Sequence, residues 1–498
     1  MELKLGKTNI LCLDTALEEI QNSEQTQEIK LPDGMPDIGQ ILSAWGQVIL
    51  RGKEWRGDSV AFSGGMMVWV LYDAEDGSGE KCIDAWIPFQ MKWDLPAGTP
   101  EGSIRIQCLT RFVDARPVSA RKIMVRAGIG ALAQAMTPGS VEVYTPEEGT
   151  QDAELLSSVY PVRLAKEAGE KTFLQDEELM LPDSVPQIGK LTYYRMDSRI
   201  QDKKVLANKV AFRGVTDLHI LFWTEEGQLH SWDFEVPFSQ YADLSGEYGS
   251  DAQADFLLCP TSLDLDVDDE GHLRLKCGVV AQYLITDKQP VSLIEDAYSP
   301  GRELEIQQET LELPAILENR RETLYGEESI QGEISSPADV SFLTDFPRQN
   351  RTETGVDMEI PGTFQVLYYG EDGRLHAGST RWEGRHTIPA DENSRILAIP
   401  SSLAPQAVVG GGSILAKAEV PLEMVTTVRQ GIPMVTGVTL GDVKSADPNR
   451  PSLILRRAGE KRLWDIAKSC GSTVEAIRKA NGLTEEPAPN QMLLIPVS

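Results

Sequence analysis

A chain of 498 residues, 41% of them hydrophobic, is longer than one compact core needs, so it divides into several domains. Its 76 Asp and Glu against 47 Lys and Arg leave a net charge of −29, which repels phosphate backbones and anionic lipid and excludes nucleic acid and acidic membranes as partners of the body. The six cysteines, Cys12, Cys82, Cys108, Cys259, Cys277 and Cys470, form no Cys-x-x-Cys pair and have no His at ligand spacing, which points to a reducing cytosol and to no metal site.

The N-terminal residues Met1 to Lys7 lead into no sustained apolar stretch, and no run of eighteen apolar residues follows, so no membrane insertion is expected. The first marked feature is Leu31-Pro32-Asp33-Gly34-Met35-Pro36-Asp37-Ile38-Gly39, which returns as Leu181-Pro182-Asp183-Ser184-Val185-Pro186-Gln187-Ile188-Gly189. The offset is 150 positions (181 − 31), and the same offset pairs Val60-Ala61-Phe62-Ser63-Gly64 with Val210-Ala211-Phe212-Arg213-Gly214. Trp86-Ile87-Pro88-Phe89 then corresponds to Glu235-Val236-Pro237-Phe238, and Asp114 to Ser119 is matched to Asp287 to Ser292. A fainter third copy runs from Gln365 to His376 against His219 to His230, with Ile388-Pro389 in the place of Val236-Pro237.

Within the shared block, Val210, Phe212, Leu218, Ile220 and Phe222 share one parity, so a period of two places them on one sheet face. Glu-Glu-Gly or Glu-Asp-Gly supplies the turn, because Gly accepts the positive φ of a tight hairpin. The segment from Arg121 to Met136 reads both ways: its small residues suit a helix, whereas Ile123, Val125, Ala127 and Ile129 alternate as a strand does. The expected architecture is mainly β. Three tandem antiparallel β-sandwich or barrel-like repeats fill 1–142, 143–296 and 297–442, and a proline-marked linker spans 443–451.

Residues 452–498 read as a small β-α-α-β module, with Leu453-Ile454-Leu455 as a strand and Leu463 to Lys468 opening a helix that Gly471 stops. Thr473 caps a second helix ended by Asn481-Gly482, and Met492 to Pro496 closes as a strand. On Gly459, Leu463 to Lys468, Thr473-Val474-Glu475, Ile477, Ala480 to Leu483 and Leu494-Ile495-Pro496, the segment resembles a LysM domain. The resemblance implies a shallow groove between two loops that binds N-acetylglucosamine polymers such as peptidoglycan or chitin. It places the binding residues at Gly459, Glu460, Lys461, Arg462, Leu463, Asn481, Gly482, Leu483 and Thr484.

The first loop departs from the family's Gly-Asp-Thr-Leu, being one residue longer and more basic, and Arg456, Arg457, Lys461 and Arg462 favour an acidic protein surface over a neutral sugar. Seven Lys and Arg against five Asp and Glu give the module a charge of +2, which leaves −31 for the remainder (−29 − 2). The repeated blocks and the terminal module together resemble the SPOCS-repeat, LysM-terminated proteins of spore-forming Firmicutes, among them clostridial spore-coat morphogenetic proteins. That resemblance implies a mother-cell cytosolic protein at the forespore surface and spore coat, whose LysM module docks the ATPase of the coat's basement layer or another coat protein. Tethering of the β body to peptidoglycan is the alternative it leaves open.

No catalytic constellation or cofactor motif emerges, and the chain reads as a non-enzyme. Asp264 to Gly271 begins like a calcium loop but carries Asp269 where Gly is required, so an alternating strand and a turn are expected instead. Gly410-Gly411-Gly412-Ser413 lacks the Lys of a phosphate cradle. Of the five histidines, His230 and His376 are repeat equivalents beside hairpin turns, which predicts a structural role. Trp464 is expected to pack in a core rather than to stack on a sugar.

Overall fold

The computed structural model describes the whole chain except residues 148–151, 269–270, 446–450 and 498. Its body is almost entirely antiparallel strand, and the two helices among the described residues lie in the C-terminal module. The first barrel-like unit comprises β1 (Gly6–Lys30), β2 (Ile38–Arg56), β3 (Ser59–Ala74), β4 (Glu80–Asp94), β5 (Ser103–Ser119) and β6 (Lys122–Thr145), in two facing sheets ordered β1-β6-β5 and β2-β3-β4. The second uses β7 (Glu154–Leu179), β8 (Ile188–Thr224), β9 (Leu229–Tyr248), β10 (Gln253–Val267) and β11 (Leu273–Tyr298), with β7-β11-β10 facing β8-β9. The third contains β12 (Arg302–Gln331), β13 (Ile334–Thr344), β14 (Arg348–Arg351), β15 (Gly355–Gly370), β16 (Leu375–Pro389), β17 (Ser394–Pro400), β18 (Leu403–Gly410) and β19 (Ser413–Val443). There β19 pairs with β12, β17 and β18, and β15 with β13, β14 and β16. In each unit the long first strand pairs with the long last one: β1 with β6, β7 with β11, β12 with β19.

Alternation builds these sheets. Ile123, Val125, Ala127, Ile129 and Ala131 on β6 are fully buried on one face, which settles the ambiguous segment as strand. The five same-parity residues from Val210 to Phe222 all enter the second core. At the block shared by the first two units, buried Leu31 seals the barrel end, and the Arg121 guanidinium donates to the Pro32 carbonyl, the Met35 carbonyl and the Asp37 carboxylate, clasping the turn. The third unit has no such block because Gln331 turns into Ile334 through two residues, Gly332 and Glu333.

Strand register corrects two of the sequence matches. Phe222 pairs with His230 and Tyr368 with His376, so the position of Val236-Pro237 falls on Trp382-Glu383 in the third unit, and Ile388-Pro389 lies further along the strand. Asp114 to Ser119 ends β5, the counterpart of β10, whereas Asp287 to Ser292 belongs to β11, the counterpart of β6. Ile123 pairs with Ile29 and Leu273 with Leu179, so the 150-residue offset persists and Val291 corresponds to Val141. Similar short sequences had arisen on different strands, and pairing outweighs composition.

The shared Gly64 and Gly214 have a steric cause: a Cβ there would lie 2.2 Å from the Ile49 carbonyl oxygen and 2.1 Å from that of Arg199. These neighbours are backbone and cannot step aside. Gly214→Ala is expected to lose about 2–3 kcal/mol in urea unfolding, against under 1 kcal/mol for Gly249→Ala, which meets nothing within 4 Å.

Each unit has its own core, and further cores lie between the units. At one end of the body, Ile10 and Val143, Leu164 and Val291, and Leu311 and Ile432 converge from three strand pairs. At the other, Leu71, Leu221 and Leu367 meet together with Trp45, Trp69 and Tyr193. Trp69 packs edge-on against Tyr193 of the second unit, and His219 on β8 reaches Asp339 of the third unit at 3.0 Å. Residues 150 apart, Arg105 and Asp255, form an ion pair of 2.7 Å between the first two units. The body is therefore three units packed around shared apolar clusters.

Candidate functional site

The C-terminal module consists of β20 (Leu453–Arg457), α1 (Leu463–Cys470), α2 (Val474–Asn481) and β21 (Met492–Pro496), in the predicted order. Thr473 accepts the Ala476 amide at 3.0 Å as the cap of α2, and Gly471 and Gly482 end the helices at φ of 62° and 61°. Leu463, Ile466, Ala467, Ile477, Leu493 and Ile495 fill the core.

Two loops bound the candidate groove. Gly459, at φ 65°, with Glu460, Lys461 and Arg462, is exposed, whereas Leu463 is fully buried and belongs to the core rather than to the surface. Across from them, Gly482 and Thr484 are exposed and Leu483 is half-buried. The Asn481 amide is already engaged: its nitrogen donates to the Ile477 and Leu494 carbonyls, and its oxygen accepts the Leu494 amide at 2.7 Å. Asn481 thus holds β21 in place. Of the basic residues, Arg456 turns to Ser469, and Arg462 pairs with Asp465 at 3.3 Å and approaches Glu295 at 4.0 Å. The Asp465 hydrogen bond raises the Arg462 pKa above its ordinary range.

Glu486 was missed in the sequence. Its carboxylate accepts the Leu463 amide at 2.8 Å and so ties the second loop to the start of α1. The longer first loop places Arg462 at the cap position, where a guanidinium has no acceptor to offer, and a carboxylate from the facing loop supplies one. Glu486→Ala is expected to destabilise the module by about 1 kcal/mol in thermal unfolding, with Glu486→Gln retaining part of that.

The module also sits against the end of the β7/β11 pair. The Trp464 indole nitrogen donates to Asp296 at 2.8 Å, Lys468 pairs with the same carboxylate at 2.8 Å, and the Tyr298 hydroxyl donates to the Ser472 carbonyl at 2.9 Å. Tyr298 and Trp464 meet edge-on with centroids 4.7 Å apart. Burial opposes the charge on Asp296, but the hydrogen bonds from Lys468 and Trp464 hold its carboxyl below the usual carboxylate range. Trp464 is therefore buried, as expected, and what it packs against is the body as much as its own helix.

These domains now have names. Residues 187–265, spanning β8 to β10, match the family described as SipL, SPOCS domain, and residues 462–496 match the LysM domain family. The chain carries a SPOCS domain and a C-terminal LysM domain. No curated protein and no solved structure matches it. Both families are non-catalytic binding domains, the LysM match bringing carbohydrate or peptidoglycan binding and the SPOCS match a link to sporulation.

The remaining candidates resolve structurally. Asp264 and Asp266 lie on β10 opposite Lys276 and Arg274, Gly271 turns at φ 84°, and Asp269 lies outside the described residues. Among the described residues no His, Cys, Asp and Glu cluster could hold a metal. His230 packs on Phe222 and His376 on Tyr368, each with centroids 5.7 Å apart, the same cross-strand pair in two units. Gly411 and Gly412 form the tight turn between β18 and β19. No helix among the described residues is long and apolar enough to cross a membrane.

Proposed function

We propose that this chain is a non-enzymatic scaffold of spore-coat and envelope assembly, working in the mother-cell cytosol at the forespore surface, whose LysM domain docks a protein of the coat's basement layer. Under this reading the first three units, 1–142, 143–296 and 297–442, are SPOCS-like repeats, 443–451 is a linker, and 452–498 carries the contact. The basement-layer ATPase is the candidate partner. The observation that carries the reading is the pairing of a SPOCS match with a LysM domain anchored to its body through Trp464, Asp296 and Tyr298. A held domain presents its groove in a fixed direction, which suits assembly at a surface. The loops contribute Gly459, Glu460, Lys461, Arg462, Gly482, Leu483 and Thr484 to the contact, with Leu463 and Asn481 holding their shape. Exposed Lys461 and Arg457 favour an acidic partner surface.

The test is a pull-down from sporulating cells with the full chain and with Lys461→Glu plus Arg457→Glu. Loss of one coat protein, with the fold intact by circular dichroism, is the expected result. Retention of every partner contradicts the docking role. The LysM match also favours a second reading, in which the groove binds peptidoglycan. Strong co-sedimentation of the full chain with purified peptidoglycan, lost on substitution of Gly482 and Thr484, selects it.

A further inference from the structure

The block shared by the first two units is finished differently in each. In the first, its acceptors are met from within the chain: the Arg121 guanidinium donates to the Pro32 carbonyl at 2.8 Å, the Met35 carbonyl at 2.9 Å and the Asp37 carboxylate at 2.9 Å. The Tyr72 hydroxyl donates to the Pro36 carbonyl at 3.0 Å. In the second unit the 150-residue offset puts Gly271 where Arg121 stands and Phe222 where Tyr72 stands. Neither has a side-chain donor.

The loop itself is kept. The Met35 amide donates to the Pro32 carbonyl at 3.3 Å and the Val185 amide to that of Pro182 at 2.9 Å, and Ile38 and Ile188 are buried behind the two loops. Gly34 takes φ 94° and Ser184 stays out of that region, which turns the central peptide differently, but that peptide carries none of the acceptors that Arg121 uses. What changes is the cover. Leu31 is 1% exposed and Pro36 and Asp37 are half-buried, whereas Leu181 is half-buried, Pro186 and Gln187 are exposed, and Met180 beside them is 67% exposed. A Cβ added at Gly271 would meet nothing within 4 Å, so the space beside the loop is open. Its surroundings are acidic: Asp183 is exposed in the loop, and Glu178 and Asp268 flank His272 at 3.6 and 3.3 Å.

We propose that this end of the second unit is a receptor for an arginine presented on an exposed turn of another protein, the guanidinium taking in trans the place that Arg121 takes in cis. Its N–H groups donate to the Pro182 and Val185 carbonyls and to the Gln187 side-chain oxygen. A planar fork reaches several acceptors set around one loop, which the compact ammonium of lysine does not. Gln187 offers an amide oxygen where Asp37 offers a carboxylate, so the contact is weaker than its counterpart in cis and reversible. The site is separate from the LysM groove and gives the body a contact of its own.

Full-length protein with methyl-labelled methionine is titrated with the blocked tripeptide acetyl-Ser-Ala-Arg-amide, which copies residues 119–121, and with its lysine and citrulline analogues, read by methyl NMR. The Met180 methyl signal is expected to shift saturably with the arginine peptide, and at least about tenfold more weakly with the other two, citrulline keeping the shape of the side chain without its charge. Met35, whose loop Arg121 already fills, is expected to stay still. Gln187→Asp restores the carboxylate of the first unit and is expected to tighten binding about tenfold, an effect that a loop with a structural role alone would not show. Arg121→Ala opens the equivalent loop and is expected to make Met35 respond as well. Absence of a Met180 shift, an equal response to the citrulline peptide, or a silent Met35 in folded Arg121→Ala protein overturns the proposal.

Discussion

Trp464→Ala is expected to loosen the LysM domain by about 3 kcal/mol, read as a roughly hundredfold rise in amide exchange along α1. The indole is buried between the module core and Tyr298, and its nitrogen ends on Asp296. Truncation removes the apolar contact, leaves a cavity at the seam and takes one donor from a carboxylate that also holds Lys468. Trp464→Phe separates these terms: the ring packing largely survives, the hydrogen bond does not, and a loss of about 1 kcal/mol is expected. Asp296→Asn, a change on the body, is expected to raise exchange in α1 by a smaller factor than Trp464→Ala. Unchanged exchange in α1 for Asp296→Asn and Trp464→Phe together would show that the module does not lean on the body.

A larger effect is expected where the second and third units meet. The His219 ring lies between Asp339, buried at 2% side-chain exposure, and the rim carboxylate of Asp233, at 3.0 and 2.8 Å. Burial pulls the imidazole pKa down, but the Asp339 charge 3.0 Å away and the hydrogen bond with Asp233 outweigh it and lift it to about 9. His219→Ala leaves the Asp339 carboxylate buried without its cation and is expected to cost about 3–5 kcal/mol in urea unfolding. Replacing both, His219→Phe with Asp339→Leu, removes the stranded charge and is expected to recover most of that loss.

The pH dependence has a definite sign. The folded value of about 9 lies above the unfolded value of about 6.5, so the stabilisation is complete below about pH 6.5 and is lost as pH rises through about 9. At constant salt, the urea midpoint of the wild-type chain is expected to fall between about pH 7 and 9.5 more steeply than that of the double variant. Equal slopes would remove His219 from the account.

How much of this was legible in the sequence depends on the range of the interaction. Parity gave the strands, because each core face repeats every second residue along one segment, as from Val210 to Phe222. The caps of the LysM domain were readable for the same local reason: Thr473, Gly471 and Gly482 act within a turn of their own helices. Longer-range choices were not readable. Asp287 to Ser292 looks like Asp114 to Ser119, yet only the pairing of Leu273 with Leu179 shows which strand it occupies. The 150-residue period implied repetition but not that the units would close around Leu71, Leu221 and Leu367, since nothing local distinguishes an outward sheet face that meets solvent from one that meets its own copy. At the candidate groove, residues chosen by family position divided by chemistry. Lys461 and Thr484 face outward, Asn481 serves β21, and Glu486 arrives from the facing loop to cap α1.

Crosslinking mass spectrometry on sporulating cells tests the central claim most directly, because it reads which surface of the chain meets which neighbour. The account predicts that Lys461 and Lys479 of the LysM domain crosslink to one coat-layer protein, and that Lys461→Glu with Arg457→Glu removes those links while links within the body persist. Crosslinks to coat proteins that arise only from body lysines, with none from the LysM domain, would contradict it.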